Sequence, residues 1–311
     1  MQRKGLFQSS TRAFWHEARQ AKDFSWFGFL HSYIYGRWTY FYIAMGSGRH
    51  PLARRLAPLL NWIGRRIVSS AGSAAGPSVK MEDTYHGKVV TLAAARQLVS
   101  VKEDIALGDQ EQIVPYALAR DIVLKNPDHI VALDCPCRAA KENPCLPLDV
   151  CLIIGEPFAG FVVQHHPQKA RWISSQHAQE ILQAEDKRGH VHHAFFKDAM
   201  LGRFYAICNC CACCCGAMQA QRSGTPMLAS SGYVAQVNSA LCLKCRKCEK
   251  TCPFQAIQMQ GSAVINPAVC MGCGVCAGQC TPGAIQMVRM QSKGMPLEIE
   301  ALIRAAQAAA N

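Results

Sequence analysis

The sequence contains no G-x-x-x-x-G-K-[ST] loop and no G-x-G-x-x-G fingerprint. Both motifs lay glycine backbone against phosphates, so hydride chemistry with a bound nicotinamide or flavin is not expected. No serine–histidine–acid arrangement offers nucleophilic catalysis. Acidic residues are scarce: 21 Asp and Glu stand against 33 Lys and Arg, a net charge of +12. No cleavable signal peptide is recognisable, and the run Cys213-Cys214-Cys215 suits a reducing compartment. A disulfide framework is therefore not expected, and the expected location is cytoplasmic. A clean membrane-spanning run is missing too. Residues 24–46 have the length, but Arg37 interrupts them, and a charge at the bilayer centre costs at least about 2.5 kcal/mol.

What the chain has in excess is cysteine, 18 in 311 residues. Eight of them form two copies of C-x2-C-x2-C-x3-C. One copy is Cys242, Cys245, Cys248 and Cys252, and the other is Cys270, Cys273, Cys276 and Cys280. The copies belong to an internal repeat, which carries Val237 onto Ile265 and Ala256-Ile257-Gln258-Met259 onto Ala284-Ile285-Gln286-Met287. Each copy reads as strand, cysteine loop, short helix, strand. Two C-x2-C pairs alone would also suit structural zinc. The third cysteine, the fourth at x3 and the duplication favour iron–sulfur.

Over about Gly232 to Met290 the repeat resembles the bacterial-type ferredoxins with two [4Fe-4S] clusters. The resemblance implies that the fourth ligand of each cluster comes from the other copy. It implies cluster I on Cys242, Cys245, Cys248 and Cys280, and cluster II on Cys270, Cys273, Cys276 and Cys252. One departure from the family pattern is visible. Pro253 directly follows Cys252, whereas Thr281 separates Cys280 from Pro282.

Ten cysteines lie upstream: Cys135, Cys137, Cys145, Cys151, Cys208, Cys210, Cys211, Cys213, Cys214 and Cys215. Six within residues 208–215 exceed what core packing uses, and crowded thiolates repel unless a cation holds them. These ten are read as further metal or iron–sulfur ligands, enough for one cubane with spares or for two. From Asp134 to Met290 the chain also resembles a family of cysteine-rich iron–sulfur proteins with a C-x-C-R loop, then Asn-Cys-Cys-x-Cys-Cys-Cys, then a ferredoxin domain. That likeness implies extra cluster binding and no particular reaction. Cys214-Cys215-Gly216 is similar to the Cys-Cys-Gly of heterodisulfide-reductase-type domains, but the accompanying cysteines are not cleanly present. His165, His166, His190, His192 and His193 are read as polar loop residues before metal ligands.

Residues 1–80 hold nearly all the excess positive charge and 14 of the 25 aromatic residues. The aromatic belt at 24–46 and the arginine pairs Arg54-Arg55 and Arg65-Arg66 suggest helices lying on an anionic membrane surface or a membrane complex. Packing within the protein is the plainer alternative. Nucleic acid is not the expected partner, because the aromatics are too apolar and contiguous for a stacking platform.

The expected class is α+β. A basic, aromatic helical segment spans 1–68, a linker 69–79, a mostly helical cysteine-rich module 80–231, the ferredoxin domain 232–290 and a helical tail 291–311. Thr91–Val99 and Pro115–Leu124 read as amphipathic helices. The expected function is electron transfer between redox protein partners, through two [4Fe-4S] clusters and one or two more upstream. Its setting would be peripheral, at the inner face of the cytoplasmic membrane. The competing expectation is a reductase of disulfides or small molecules whose active site is the middle module.

Overall fold

A computed structural model of the chain describes residues 8–21, 24–53, 55, 85–116 and 119–310. The arginine pairs at 54–66, apart from Arg55, and the expected linker at 69–79 lie outside the described residues.

The middle of the chain is built on a sheet. Eight strands run in the order β2-β3-β4-β7-β6-β1-β8, with β5 also on β3. Their ranges are β1 Tyr85–Val90, β2 Ile105–Leu107, β3 Ile122–Leu133, β4 Cys151–Glu156, β5 Ala170–Ile173, β6 Val191–Lys197, β7 Arg203–Cys210 and β8 Leu228–Ala229. The expectation of a mostly helical module is thus corrected. Leu92–Leu98 is helical (α4), capped by the Thr91 hydroxyl. The described residues of the second expected helix, 115–116 and 119–124, are not helical. Its end instead enters β3, whose early residues alternate buried and half-buried, with Ile122 and Leu124 inward. Strand β3 runs on through Asn126-Pro127-Asp128. The pairing with β4 shifts register between Lys125 and Ile130, and a bulge is where a sheet tolerates proline.

Successive residues of a strand face opposite ways. On β4, Cys151 and Ile153 join one core, and Leu152 and Ile154 join the other. The second core is covered by α4, by α7 (Ser175–Lys187) and by α11 (Ile299–Ala310), whose Leu297 and Ile299 flank is fully buried. Ser174 caps α7, its hydroxyl accepting from the His177 N–H at 3.1 Å.

The first core lies under the N-terminal helices α1 (Ser9–Arg19), α2 (Trp26–Arg37) and α3 (Thr39–Gly46), and under α6 (Phe158–His165). Phe14 and Tyr35 are buried there. Gly36 lets α2 approach α6 closely, since a Cβ at that position would sit 2.8 Å from the Phe161 ring. The belt therefore breaks into two helices at Arg37–Trp38, and one side of it packs on the sheet. Among the described residues no helix is long and apolar enough to cross a membrane.

The C-terminal repeat folds as two interlocked halves. Strand β9 (Tyr233–Val237) pairs with β12 (Ile285–Arg289), and β10 (Ile257–Gln260) pairs with β11 (Ser262–Ile265). The first strand of each half thus pairs with the second strand of the other. The symmetry extends to single bonds: Asn238 N–H donates to Ala284 O and Asn266 N–H to Ala256 O, both at 2.8 Å. Mixed helices and strands throughout make the chain α+β.

Candidate metal centres

In the C-terminal unit the cysteines gather around two cavities. Cys242, Cys245, Cys248 and Cys280 line one, and Cys252, Cys270, Cys273 and Cys276 line the other. The short helices Lys247–Thr251 (α9) and Val275–Gly278 (α10) each begin from a residue with positive φ, Arg246 at 62° and Gly274 at 84°. This turn curls the second and third thiols of each copy around their cavity. The Ala256 N–H donates to Cys252 Sγ at 3.3 Å. Four soft thiols around one cavity are a donor set that fits an iron–sulfur cluster.

The two cavities differ in setting. Cys270 and Cys276 are buried, and Phe254, Met271 and Cys273 pack against the core of the cysteine-rich module. Cys245 is exposed and Leu243 is 72% exposed, so the other cavity lies at the outer end of the domain. The basic residues Lys244, Arg246, Lys247 and Lys250 surround that outer end. Arg246 is paired with Glu249 at 2.8 Å, which leaves the three lysines as its unpaired positive rim among these four.

The ten upstream cysteines fall into two sets. Cys145, Cys211, Cys213 and Cys214 bring their sulfur atoms within 4.8 Å of one another near the surface. Cys135, Cys137, Cys151, Cys208, Cys210 and Cys215 line a largely apolar chamber of about 60 Å³ between the sheet and the N-terminal helices, and Cys211 and Cys214 of the first set also border it. Strand pairing makes the chamber's floor: Cys151 on β4 lies opposite Cys208 on β7, which lies opposite His193 on β6. Cys135 and Cys137 come from the turn into α5 (Pro136–Ala139), and Cys215 from the start of α8 (Gly216–Arg222). Cys215 is held below the usual thiol range, first by Cys210 and, against burial, by the N–H groups of Met218 and Ala217. Its partner Cys210 is pushed far up, first by Cys215 and then by burial. Thiols this crowded cannot all ionise without a cation, so the donor set fits a soft metal group.

The adjacent Cys214 and Cys215 both border the chamber, and Cys214 also joins the outer set. His192 and His193 lie buried in β6 rather than in a polar loop, and among the five histidines all but His193 bond other groups. His165 bonds the Thr11 hydroxyl at 3.0 Å, His166 the Gly36 carbonyl at 2.8 Å, and His192 the Asn209 side chain at 2.6 Å. Among the described residues no histidine joins the cysteines in a close ligand group.

The roles of several residues in the site escaped sequence reasoning. Arg138, 1% exposed, donates to Glu185 at 2.6 Å, to Asn209 O at 2.9 Å and to Pro147 O at 2.5 Å. It ties both cysteine loops to α7. Arg49 donates to the carbonyls of Cys137 and Cys214 at 2.9 and 3.0 Å. Tyr40 donates to Asp134 O at 2.8 Å. Arg138 is the arginine of the C-x-C-R loop, but its bonding role is not legible there, because Glu185 and Asn209 lie far away along the chain, as do the partners of Arg49 and Tyr40.

A family model described as a 4Fe-4S binding domain matches residues 234–257. No curated protein and no solved structure matches the chain. The chain therefore carries an iron–sulfur, ferredoxin-like domain with at least one cluster.

Proposed function

We propose that the chain is an iron–sulfur electron carrier with two [4Fe-4S] clusters in its C-terminal domain, cluster I on Cys242, Cys245, Cys248 and Cys280, and cluster II on Cys252, Cys270, Cys273 and Cys276. The observation that carries this reading is the pair of four-cysteine cavities, each drawing one thiol from the opposite copy of the repeat. A bound cubane supplies a one-electron site in each cavity. The cysteine-lined chamber is the place for a further cluster, and its neighbour is the inner cavity. Chamber, inner cavity and exposed outer cavity form a series that ends at the lysine rim. An acidic redox protein is the partner that rim would steer.

The chamber's cover favours a carrier over a reductase. Tyr35, Thr39 and Ile43 from the N-terminal helices close an apolar lining over the thiols. The opposite side of those helices supports docking at an anionic membrane surface. Trp26, Phe27, Leu30 and Ile34 are exposed on α2, Phe27 by 83%, with Trp38 and Phe41 beyond.

The test is iron and acid-labile sulfide per chain on anaerobically purified full-length protein, with EPR of the reduced form. About eight irons and eight sulfides are expected for the two ferredoxin-type cubanes, and more if the chamber is loaded. Four or fewer irons, or a substrate-dependent turnover that the chamber thiols support, would overturn the carrier.

A further inference from the structure

The outer four upstream cysteines are spaced differently from the eight of the ferredoxin domain. Cys145 Sγ lies 3.0 Å from Cys213 Sγ, and Cys213 Sγ lies 3.7 Å from Cys214 Sγ. All four sulfurs, with that of Cys211, fall within 4.8 Å of one another. A single tetrahedral ion with metal–sulfur bonds near 2.3 Å sets its sulfurs about 3.8 Å apart. A cubane places a separate iron behind every thiolate and so holds the four farther apart. The molecule provides its own comparison. Among the described residues, no three thiols of the ferredoxin domain come within 4.8 Å of one another, although four line each cavity.

The loop that presents three of these thiols is braced from outside. Its Cys214 N–H and Cys215 N–H both return to Cys211 O, at 3.3 and 3.1 Å. Gln219 donates to Cys213 O at 2.8 Å, and Arg49 donates to Cys214 O at 3.0 Å. The thiol arrangement therefore does not depend on a mobile turn. Cys213 is exposed and Cys145 half-buried, which gives an ion a path in. Arg138 and Lys141 lie close enough to act on Cys211 and Cys213, and offset part of the charge that four thiolates carry.

We propose that Cys145, Cys211, Cys213 and Cys214 hold one tetrahedral thiophilic metal ion, zinc or iron, at the edge of the chamber that Cys211 and Cys214 also border. The bound ion fastens the loop bearing Cys145 to the turn that follows β7. Each thiol gives up its proton to solvent on binding, and no electron is transferred. The inference is independent of the electron-carrier reading.

The experiment compares full-length wild type with Cys213→Ser and Cys145→Ser, all purified anaerobically. Metals are counted by inductively coupled plasma mass spectrometry and sulfide chemically. Each variant is expected to lose one equivalent of zinc or iron, with no loss of sulfide and unchanged EPR of the reduced clusters. Loss of about four irons with four sulfides would make the site a cubane and overturn the proposal. An unchanged metal count would overturn it equally. A second measurement needs no variant. Under native conditions, alkylation of Cys145 and Cys213 is expected only after a chelator is added. Equal labelling without chelator sinks the proposal.

Discussion

The phenolic oxygens of Tyr35 and Tyr205 lie 2.9 Å apart, although the two residues are far from each other in the chain. One tyrosine comes from α2 and the other from β7, and both line the cysteine chamber. Lys197 Nζ stands 4.5 Å above the Tyr35 ring and 4.7 Å from that of Tyr85. The aromatic N-terminal segment is thus a wall of the cysteine site as well as an exposed surface.

Removing that wall is expected to expose the chamber. Tyr35→Phe leaves the buried Tyr205 hydroxyl short of a partner and should cost about 1–3 kcal/mol. Tyr35→Ala adds a cavity, and its cost should reach about 3–5 kcal/mol. Denaturant unfolding measures both. In air, the Ala variant should lose its visible iron–sulfur absorption several-fold faster than wild type. Equal bleaching rates would show that α2 does not shield the thiols.

The ferredoxin repeat was legible because its information is local. Two-residue gaps and a second copy close behind the first are both visible in one short stretch. The sheet was not. Strand β6, Val-His-His-Ala-Phe-Phe-Lys, is buried at every position, so no polar alternation marks it. Strand β3 carries Asn126-Pro127-Asp128 at a bulge, and the same letters read as the end of a helix. The ten upstream cysteines stood out by density alone. Their grouping was hidden, because Cys214 joins the outer set while its neighbour Cys215 does not, whereas Cys151 and Cys208 meet only through strand pairing. In the aromatic belt, buried Tyr35 and exposed Phe27 look alike until the sheet beneath them is known.

Arg138 and Glu185 are each 1% exposed in their side chains and joined at 2.6 Å. Arg138→Met would leave Glu185 buried with only His190 and Arg188 as partners. A loss of about 3–5 kcal/mol is expected from breaking such a pair. Adding Glu185→Leu should restore a large part of it, since two apolar groups leave no orphan charge. A double-mutant cycle by thermal unfolding decides; additive losses would mean that the two side chains act separately.

Gly272 and Lys244 occupy the same place in the two copies, with φ of 67° and 57°. Lysine shows that the left-handed turn alone is tolerated, at about 1–2 kcal/mol. Gly272 differs in its surroundings: a Cβ there would stand 2.2 Å from Tyr233 O and 2.3 Å from Ser231 Oγ. Gly272→Ala should therefore displace the inner cysteine loop and lower bound iron by about four. Lys244→Gly should leave the iron count unchanged. If both variants keep full iron, the close approach at Gly272 is not what positions the inner thiols.

The outer cavity should carry the higher reduction potential. Positive charge and solvent access both favour the more negative, reduced form of a cluster, and the lysine rim and exposed Cys245 supply both. Replacing Lys244, Lys247 and Lys250 with glutamine should lower the potential of one cluster and leave the other nearly fixed. An EPR-monitored redox titration follows each separately. A shift of both by the same amount would mean that the rim does not belong to one cavity.

Lys88 gives the fold a pH dependence of its own. It lies on the sheet face opposite the chamber, 1% exposed, and burial, aided by Arg289, lowers its pKa to about 7 from 10.5. Below about 7 both folded and unfolded chains hold the proton, so Lys88 adds no slope and its burial penalty is complete. Between about 7 and 10.5 the folded chain has released the proton and the unfolded chain keeps it. The unfolded state then binds more protons, and stability rises with pH. The slope from this one group is at most about 1.4 kcal/mol per pH unit. Lys88→Met should remove that slope and stabilise the protein most at and below neutral pH, with the difference closing by about pH 10. Because every other titrating group is common to both proteins, the wild-type-minus-variant curve isolates the lysine. A difference that stays constant from about pH 6 to pH 10 would show that Lys88 keeps its charge in the folded chain.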